Sequence, residues 1–188
     1  MNVVLVTLDN HLSGAANRAG KALAEELPGL RLGMHAAADW AHDPDALARC
    51  REDIRNGDII VVTMLFMEEH IQAVLPDLKA RRDGCDAMVC CMSAAEVMRL
   101  TRMGRFHMDG EQSGPMALLK RLRGNRKNGR KPAGAQQLSV LRQLPRILRF
   151  IPGTAQDLRA YFLTLQYWLA SSEANLENMV RFLADRYA

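Results

Sequence analysis

Apolar runs rich in β-branched residues alternate along the chain with amphipathic segments. Two runs, at Val3–Leu8 and Ile59–Leu65, are apolar at nearly every position. This pattern is typical of strands buried on both faces of a parallel sheet. Leu30–Ala36 is a weaker strand pattern, and Ala87–Met92 is a fourth buried one. We therefore predict a parallel sheet in the order 2-1-3-4, with the first and third strands central.

The segments between these runs have helical spacing and helix boundary residues. Asp43 and Pro44 match an N-cap and a first helical position, and Pro76 interrupts the helix after the third strand, where we expect a kink or a second start. Ser93–Glu96 has the capping-box pattern, which predicts a helix to about Arg102. The alternation of strands and helices predicts an α/β fold, Rossmann-like or flavodoxin-like, with four or five parallel strands and helices on both faces.

The pattern changes twice in the second half of the chain. We predict an α/β domain over 1–110, a basic and partly mobile excursion with short helices over 111–153, and a C-terminal helical hairpin over 154–188. The hairpin has two apolar stripes at helical spacing, and we expect it to continue into the next domain of a longer protein. The stripe residues are Leu158, Tyr161, Phe162, Leu165 and Leu169, then Leu176, Met179, Val180, Leu183 and Tyr187.

Composition points to an ordinary globular domain. Apolar residues make up 48% of the chain and charged residues 24%. No apolar run approaches the roughly 20 residues that span a bilayer, and the N-terminus lacks the basic region of a signal peptide, so we expect a cytoplasmic protein. The four cysteines have no metal-binding spacing. We expect them to be small buried side chains, because a metal or iron–sulfur site would need ligands from elsewhere.

Positive charge is concentrated in one segment. Lys120–Arg149 contains ten basic residues and no acid, which leaves 15 basic and 21 acidic residues, a net charge of −6, in the rest of the chain. Such a run binds nucleic acid, a carboxylated ligand or an acidic protein face, or stays solvated without a ligand. Nucleic acid is the weaker alternative because the run has no interleaved aromatic residues. The candidate residues are Arg126, Lys127, Arg130, Lys131, Arg142, Arg146 and Arg149.

The exit of the third strand is the best candidate for a site. Ligands of open α/β sheets bind outside the carboxyl ends of the strands, and here Leu65, Phe66 and Met67 precede Glu68, Glu69 and His70. Common catalytic and nucleotide-binding motifs are missing: the chain has no GxGxxG, GxxxxGK[ST], HExxH or GxSxG. A flavodoxin-like cofactor domain stays an open alternative, although its phosphate loop at Asn10–Ala15 would have only one glycine.

Four longer stretches carry a family resemblance. They are VTLDNHLSGA, IIVVTMLFMEEHIQAVLP, CDAMVCCMSAAEVMRLTRMGRF and LQYWLASSEANLENMVRFLADRYA. Together they resemble the N-terminal domain of the large, porphyrin-binding H subunit of magnesium chelatase, a family that includes the large subunit of aerobic cobaltochelatase. The resemblance runs through nearly the whole chain and is weakest over 124–137.

The resemblance implies a function for a longer protein. Subunits of this family bind protoporphyrin IX and, with two smaller ATPase-type subunits, insert Mg²⁺ in the first committed step towards (bacterio)chlorophyll, a ligase reaction that forms metal–nitrogen bonds. ATP hydrolysis belongs to the partner subunits, in agreement with the missing phosphate-binding loop. The metal-insertion residues of the family lie in later domains. We therefore expect this chain alone to hold no catalytic residue, metal or cofactor, and to be inactive.

The resemblance also gives the strand exit a possible ligand. Porphyrin is a flat apolar disc with two carboxylates at one edge, which requires bulky soft side chains and nearby cations. Glu68 and Glu69 would repel the propionates, so we expect these to point towards the basic Lys120–Arg149 region. The alternative is that Phe66 and Met67 have a purely structural role and only cover the carboxyl end of the sheet. The predicted contact residues are Leu65, Phe66, Met67, His70, His11 and Met92.

Overall fold

The computed structural model describes residues 1–109 and 154–188. Their strands and helices follow one another as a doubly wound α/β domain followed by two long helices. The elements are β1 (Asn2–Thr7), α1 (Ser13–Glu26), β2 (Arg31–Ala36), a 3₁₀ turn (Ala37–Asp39), α2 (Pro44–Asn56), β3 (Ile59–Thr63), α3 (Glu68–Arg81), β4 (Ala87–Cys91), α4 (Ala95–Met98), β5 (Arg102–Met103), β6 (Phe106–His107), α5 (Thr154–Ala170) and α6 (Glu173–Tyr187).

The strand order is β2-β1-β3-β4-β5-β6, and the first four strands are parallel. The predicted order 2-1-3-4 and the α/β fold class are therefore confirmed. Every residue of β3 is buried, as is β1 after its first residue, whereas β2 lies at the edge with mostly half-buried side chains. The burial explains why the β1 and β3 segments are almost wholly apolar and the β2 segment is not.

Helices cover both faces of the sheet. Val3 and Leu5 of β1 pack with α1, α5 and α6 on one face, whereas Val4 and Val6 pack with α2 and α3 on the other. Right-handed crossovers that leave a sheet in opposite directions place their helices on opposite faces. The connections after β1 and β3 therefore diverge, which opens a crevice between these two strand ends.

The two terminal helices form the predicted antiparallel hairpin. Ser171 and Ser172 join them, and Ser172 caps α6 by accepting from the Asn175 backbone N–H at 3.2 Å. Asp157, near the start of α5, accepts from Arg186 near the end of α6 at 2.9 Å. The stripe residues Tyr161, Phe162, Met179 and Leu183 are all buried, as predicted.

One helix prediction is wrong, and the alternatives given for another are reduced to one. The helix predicted from the Ser93–Glu96 pattern to Arg102 is wrong, because α4 ends at Met98 and its N-cap, Ala94, makes no side-chain cap bond. The Thr101 hydroxyl instead bonds both backbone groups of Cys90, at 3.1 and 3.0 Å, and this pulls the chain back along β4. The sheet thereby gains the short antiparallel strands β5 and β6. Finally, α3 runs through Pro76 as one helix, so no second start occurs there.

The predicted basic excursion lies outside the described residues, so the division into 1–110, 111–153 and 154–188 stays a prediction. Within the described ranges, no helix combines the length and the hydropathy that a membrane crossing requires.

Candidate functional site

Three loops meet at the carboxyl edge of the parallel strands. Residues 8–12 follow β1, residues 64–67 follow β3, and residues 92–94 follow β4. Because neighbouring strands lie about 4.8 Å apart, these loops are adjacent, and the crevice between β1 and β3 lies among them. The six predicted contact residues lie in these loops or, for His70, in the helical turn that follows one of them.

The loops after β3 and β4 are bonded together as one unit. The Met64 N–H donates to the Met92 carbonyl at 2.9 Å, and the Ala94 N–H donates to the Leu65 carbonyl at 2.8 Å. The Ser93 hydroxyl, which the sequence pattern assigned to a helix cap, accepts from the Leu65 N–H at 3.2 Å instead. Met64 and Met92 both have left-handed backbones, with φ of 62° and 48°. Such residues cost about 1–3 kcal/mol each and persist only where surrounding bonds hold them.

This arrangement turns apolar side chains outward. Phe66 is 58% exposed, Met67 48% and Met92 36%, and these three make up most of the large apolar side chains that are exposed within the described residues. Leu65 is fully buried in the core. The structure therefore contradicts a surface role for Leu65 among the predicted contacts and leaves Phe66, Met67 and Met92, which we call the apolar edge.

The two predicted histidines do not share an environment. The His70 ring is mostly buried and packs edge-on against Trp40, with 5.7 Å between ring centroids. Its Nδ1 has no hydrogen-bond partner within the described residues. His11 is exposed and pairs with Asp9, whose pKa is lowered by the hydrogen bond from the His11 side chain. His70 thus belongs to the α2–α3 side of the edge and His11 to the β1 exit.

Negative charge lies at the start of α3. Glu68 and Glu69 are exposed in its first turn, next to Phe66 and Met67. Glu68 accepts from Gln72 at 2.7 Å. Carboxylates stabilise a helix N-terminus through its dipole, but they would also repel an anionic group placed on this side of the apolar edge.

The first turn of α1, unlike that of α3, contains no acidic side chain. Leu12 stands at its N-cap without a side-chain cap bond. The Arg18 Nη1 lies 3.5 Å from the point that a Cβ on Gly14 would occupy. No indication of this helix start was present in the sequence, because Ser13, which local pattern would assign to the N-cap, is instead the first residue inside the helix.

The cysteines have no chemistry at this edge. All four are buried as free thiols, as the sequence predicted, and burial raises the pKa of Cys50 and Cys91 to about 12. Thiols this difficult to ionise are poor nucleophiles and poor metal ligands. The described residues also contain no group of three or more His, Cys, Asp or Glu side chains placed to hold a metal ion.

Two surface cavities are lined by residues other than those of the apolar edge. One of about 570 Å³ is bordered by Met1, Leu30 and Phe182 at the opposite end of the sheet. The other, of about 400 Å³, is bordered by His35, Trp40 and other residues near the start of α2. Neither coincides with the predicted contacts. The predicted basic contacts Arg126, Lys127, Arg130, Lys131, Arg142, Arg146 and Arg149 lie outside the described residues.

Comparison with known proteins identifies the family to which the chain is similar. A family model described as a domain of unknown function, DUF3479, matches residues 2–162. The magnesium-chelatase H subunit of Cereibacter sphaeroides is 49% identical over 187 residues, and that of Rhodobacter capsulatus 48%. Each of these alignments covers 100% of this chain but only 16% of the relative. The chloroplastic ChlH protein of magnesium chelatase from Oryza sativa subsp. japonica is 33% identical over 72% of the chain and 10% of its own length.

Proposed function

Because the chain belongs to the DUF3479 family, the N-terminal domain of the magnesium-chelatase H subunit, we propose that it serves as that domain in a longer chelatase subunit. The whole subunit binds protoporphyrin IX and, with two smaller ATPase-type subunits, inserts Mg²⁺ for (bacterio)chlorophyll synthesis. Porphyrin and Mg²⁺ are substrates of the complete enzyme, and ATP is bound by the partner subunits. This domain is inactive alone, and its cytoplasmic localisation stays a prediction.

Within that subunit, the domain contributes a surface that contacts porphyrin. The observation that carries this proposal is the exposed apolar edge of Phe66, Met67 and Met92 at the crevice of a doubly wound sheet. Exposed apolar side chains grouped at one place mark interaction sites more often than scattered ones do. An aromatic ring and two polarisable thioethers suit the flat face of a macrocycle. His11 is exposed at the neighbouring exit of β1, at the same carboxyl end of the sheet.

Replacing Phe66 and Met67 together by alanine tests the porphyrin contact. In the full-length subunit we expect the Kd for deuteroporphyrin to rise about tenfold, which corresponds to about 1.4 kcal/mol. Fluorescence titration measures the affinity, and thermal unfolding checks that the fold is intact.

Leu169→Ala is the matched control, because Leu169 is 56% exposed but lies at the end of α5 rather than in the apolar edge. An unchanged Kd in the double variant, or an equal loss in the control, would leave Phe66 and Met67 as a plug over the sheet.

We further propose that the basic segment steers the partner subunits. Replacing Arg126, Lys127, Arg130 and Lys131 by serine should change the free energy of unfolding by less than about 0.5 kcal/mol, the usual range for surface substitutions. Partner association should slow, more at low salt than at high salt, because rim charges act mainly on the on-rate. Stopped-flow association at two salt concentrations measures this. An equal loss at both, or salt-sensitive binding of random DNA by the unmodified chain, would count against partner steering.

A further inference from the structure

We propose that the cavity of about 570 Å³ between the end of α1 and the last turns of α6 binds an apolar part of the segment that follows α6 in the complete subunit. This inference rests on the proposed function, in which the chain is one domain of a longer chelatase subunit. It adds a second contact surface, at the end of the sheet where β1 and β2 begin, opposite the apolar edge.

The floor of this cavity is a continuation of the hydrophobic core. Leu30 is buried, and Met1, Leu27, Phe182 and Ala184 are partly buried against the cluster that joins the sheet to α1, α5 and α6. Apolar side chains that border open space lack contact partners on that side. An apolar occupant would supply these contacts and extend the core.

The cavity is large enough for side chains and not only for water. Its volume far exceeds the roughly 10–15 Å³ that one ordered water requires. At its rim, Pro28 and Gly29 follow the end of α1, and the φ of 88° at Gly29 turns the chain towards β2. Within the described residues, no atom lies within 4 Å of the position that a Cβ on Gly29 would occupy. A polypeptide segment can therefore approach this loop without a steric clash.

The charged groups around the cavity favour an apolar occupant over an anionic ligand. Arg181 is held by two acids, Glu26 at 2.7 Å and Glu177 at 3.0 Å. The terminal ammonium of Met1 donates to a backbone carbonyl at 3.0 Å. Asp185 is exposed and has no arginine or lysine partner in the part of the chain that the structure describes. Small-molecule sites place a few polar groups to orient the ligand, and here those groups are already bonded within the domain.

The position of α6 identifies the occupant. Ala184 borders the cavity and α6 ends at Tyr187, so residues that follow the helix begin about 5 Å further along its axis. The alignments with the two bacterial H subunits cover only 16% of those proteins. Because this domain is the N-terminal one, most of such a subunit follows α6. A tethered segment reaches an effective concentration on the order of millimolar when its linker is short, which favours it over a free partner.

The first experiment measures the protection of a thiol at the rim of the cavity in the full-length subunit. Pro28→Cys introduces that thiol at an exposed position. Ala24→Cys is the matched control, because Ala24 is also exposed at the end of α1 but does not border the cavity. Alkylation by N-ethylmaleimide, followed for each peptide by mass spectrometry, should be about tenfold slower or more at Pro28→Cys, since a docked segment must open before the thiol reacts. Similar rates in the two variants would overturn the proposal.

A second substitution tests whether the protection depends on the apolar wall. Added to Pro28→Cys, Ala184→Glu places a charge in the cavity and should raise the alkylation rate to within about twofold of the control. Ala174→Glu adds the same charge at the exposed start of α6 and should leave the protection unchanged. Cys50, which is fully buried, should stay unlabelled wherever the fold is intact. Protection that survives Ala184→Glu, or that both substitutions remove equally, would overturn the apolar contact.

A cross-link identifies the occupant and separates this inference from the proposed function. With p-benzoylphenylalanine in place of Pro28, irradiation of the full-length subunit should capture a peptide that follows residue 188 of the same molecule. Capture of a second copy, or of a partner subunit, would overturn the proposal. If the cavity is protected while the Phe66 and Met67 double variant leaves the Kd for deuteroporphyrin unchanged, only the porphyrin contact falls. The reverse result would remove only the docking site.

Discussion

Leu65→Ala should lower the free energy of unfolding by about 2–4 kcal/mol, whereas Phe66→Ala should change it by less than about 0.5 kcal/mol. Leu65 is fully buried in the core between the sheet and α3, and truncating a buried leucine loses its burial energy and leaves a cavity. Phe66, the next residue, faces solvent, where substitutions are usually near neutral. Urea denaturation of both variants, with unchanged m-values, measures the difference.

The pair also tests how the strand exit is built. The backbone groups of Leu65 hold the loops of β3 and β4 together through Ser93 and Ala94, and its side chain anchors this joint in the core. If Leu65→Ala cost no more than Phe66→Ala, the side chain would not be the anchor. A large cost for Phe66→Ala would mean that this side chain is covered in the folded protein, and its role as an open contact surface would fall.

The central part of the fold was predictable from sequence because its requirements are local. The β1 and β3 segments are apolar at consecutive positions, which only strands buried on both faces need. Asp43 does cap α2, accepting from the backbone N–H groups of Asp45 and Ala46 at 3.0 and 3.1 Å. Once strands and helices alternate, crossover handedness leaves few strand orders.

The edge of the sheet was not predictable in the same way. Ser93 and Thr101 were read as helix residues, but their hydroxyls bond to the backbone of Leu65, just after β3, and of Cys90 in β4. These partners are far along the chain and are chosen by the tertiary fold, so local spacing does not reveal them. β5 and β6 have two residues each, too few for a periodic pattern to show.

The candidate site stays a prediction, and the structure shows only how its residues are placed. The triplet of residues 65–67 indicated an apolar exit, and the structure confirms the exposure of Phe66 and Met67 while it places Leu65 inside. Sequence alone did not reveal which of three consecutive apolar residues would face outward, because the left-handed turn at Met64 breaks the strand alternation.

Gly104→Ala should lower the free energy of unfolding by about 2–4 kcal/mol. Gly104 and Arg105 form the two-residue turn between β5 and β6, and Gly104 has φ of 56°, as the first position of a II′ turn requires. A Cβ there would lie 2.8 Å from Oδ2 of Asp157. Backbone strain of about 1 kcal/mol or more therefore adds to a displaced carboxylate, and chemical denaturation measures the total.

Displacing the Asp157 carboxylate is destabilising because it joins three parts of the chain. Its carboxylate accepts from the Arg105 N–H at 3.0 Å, from Arg186 at 2.9 Å and from the Tyr187 hydroxyl at 3.1 Å. Gly29→Ala is the matched control, since Gly29 has φ of 88° but open space around its Cβ position, so it should show the strain alone. In a double-mutant cycle with Asp157→Ala, the excess cost of Gly104→Ala over Gly29→Ala should largely disappear. Equal costs at the two glycines, or full additivity with Asp157→Ala, would mean that the carboxylate does not tie the hairpin to the terminal helices.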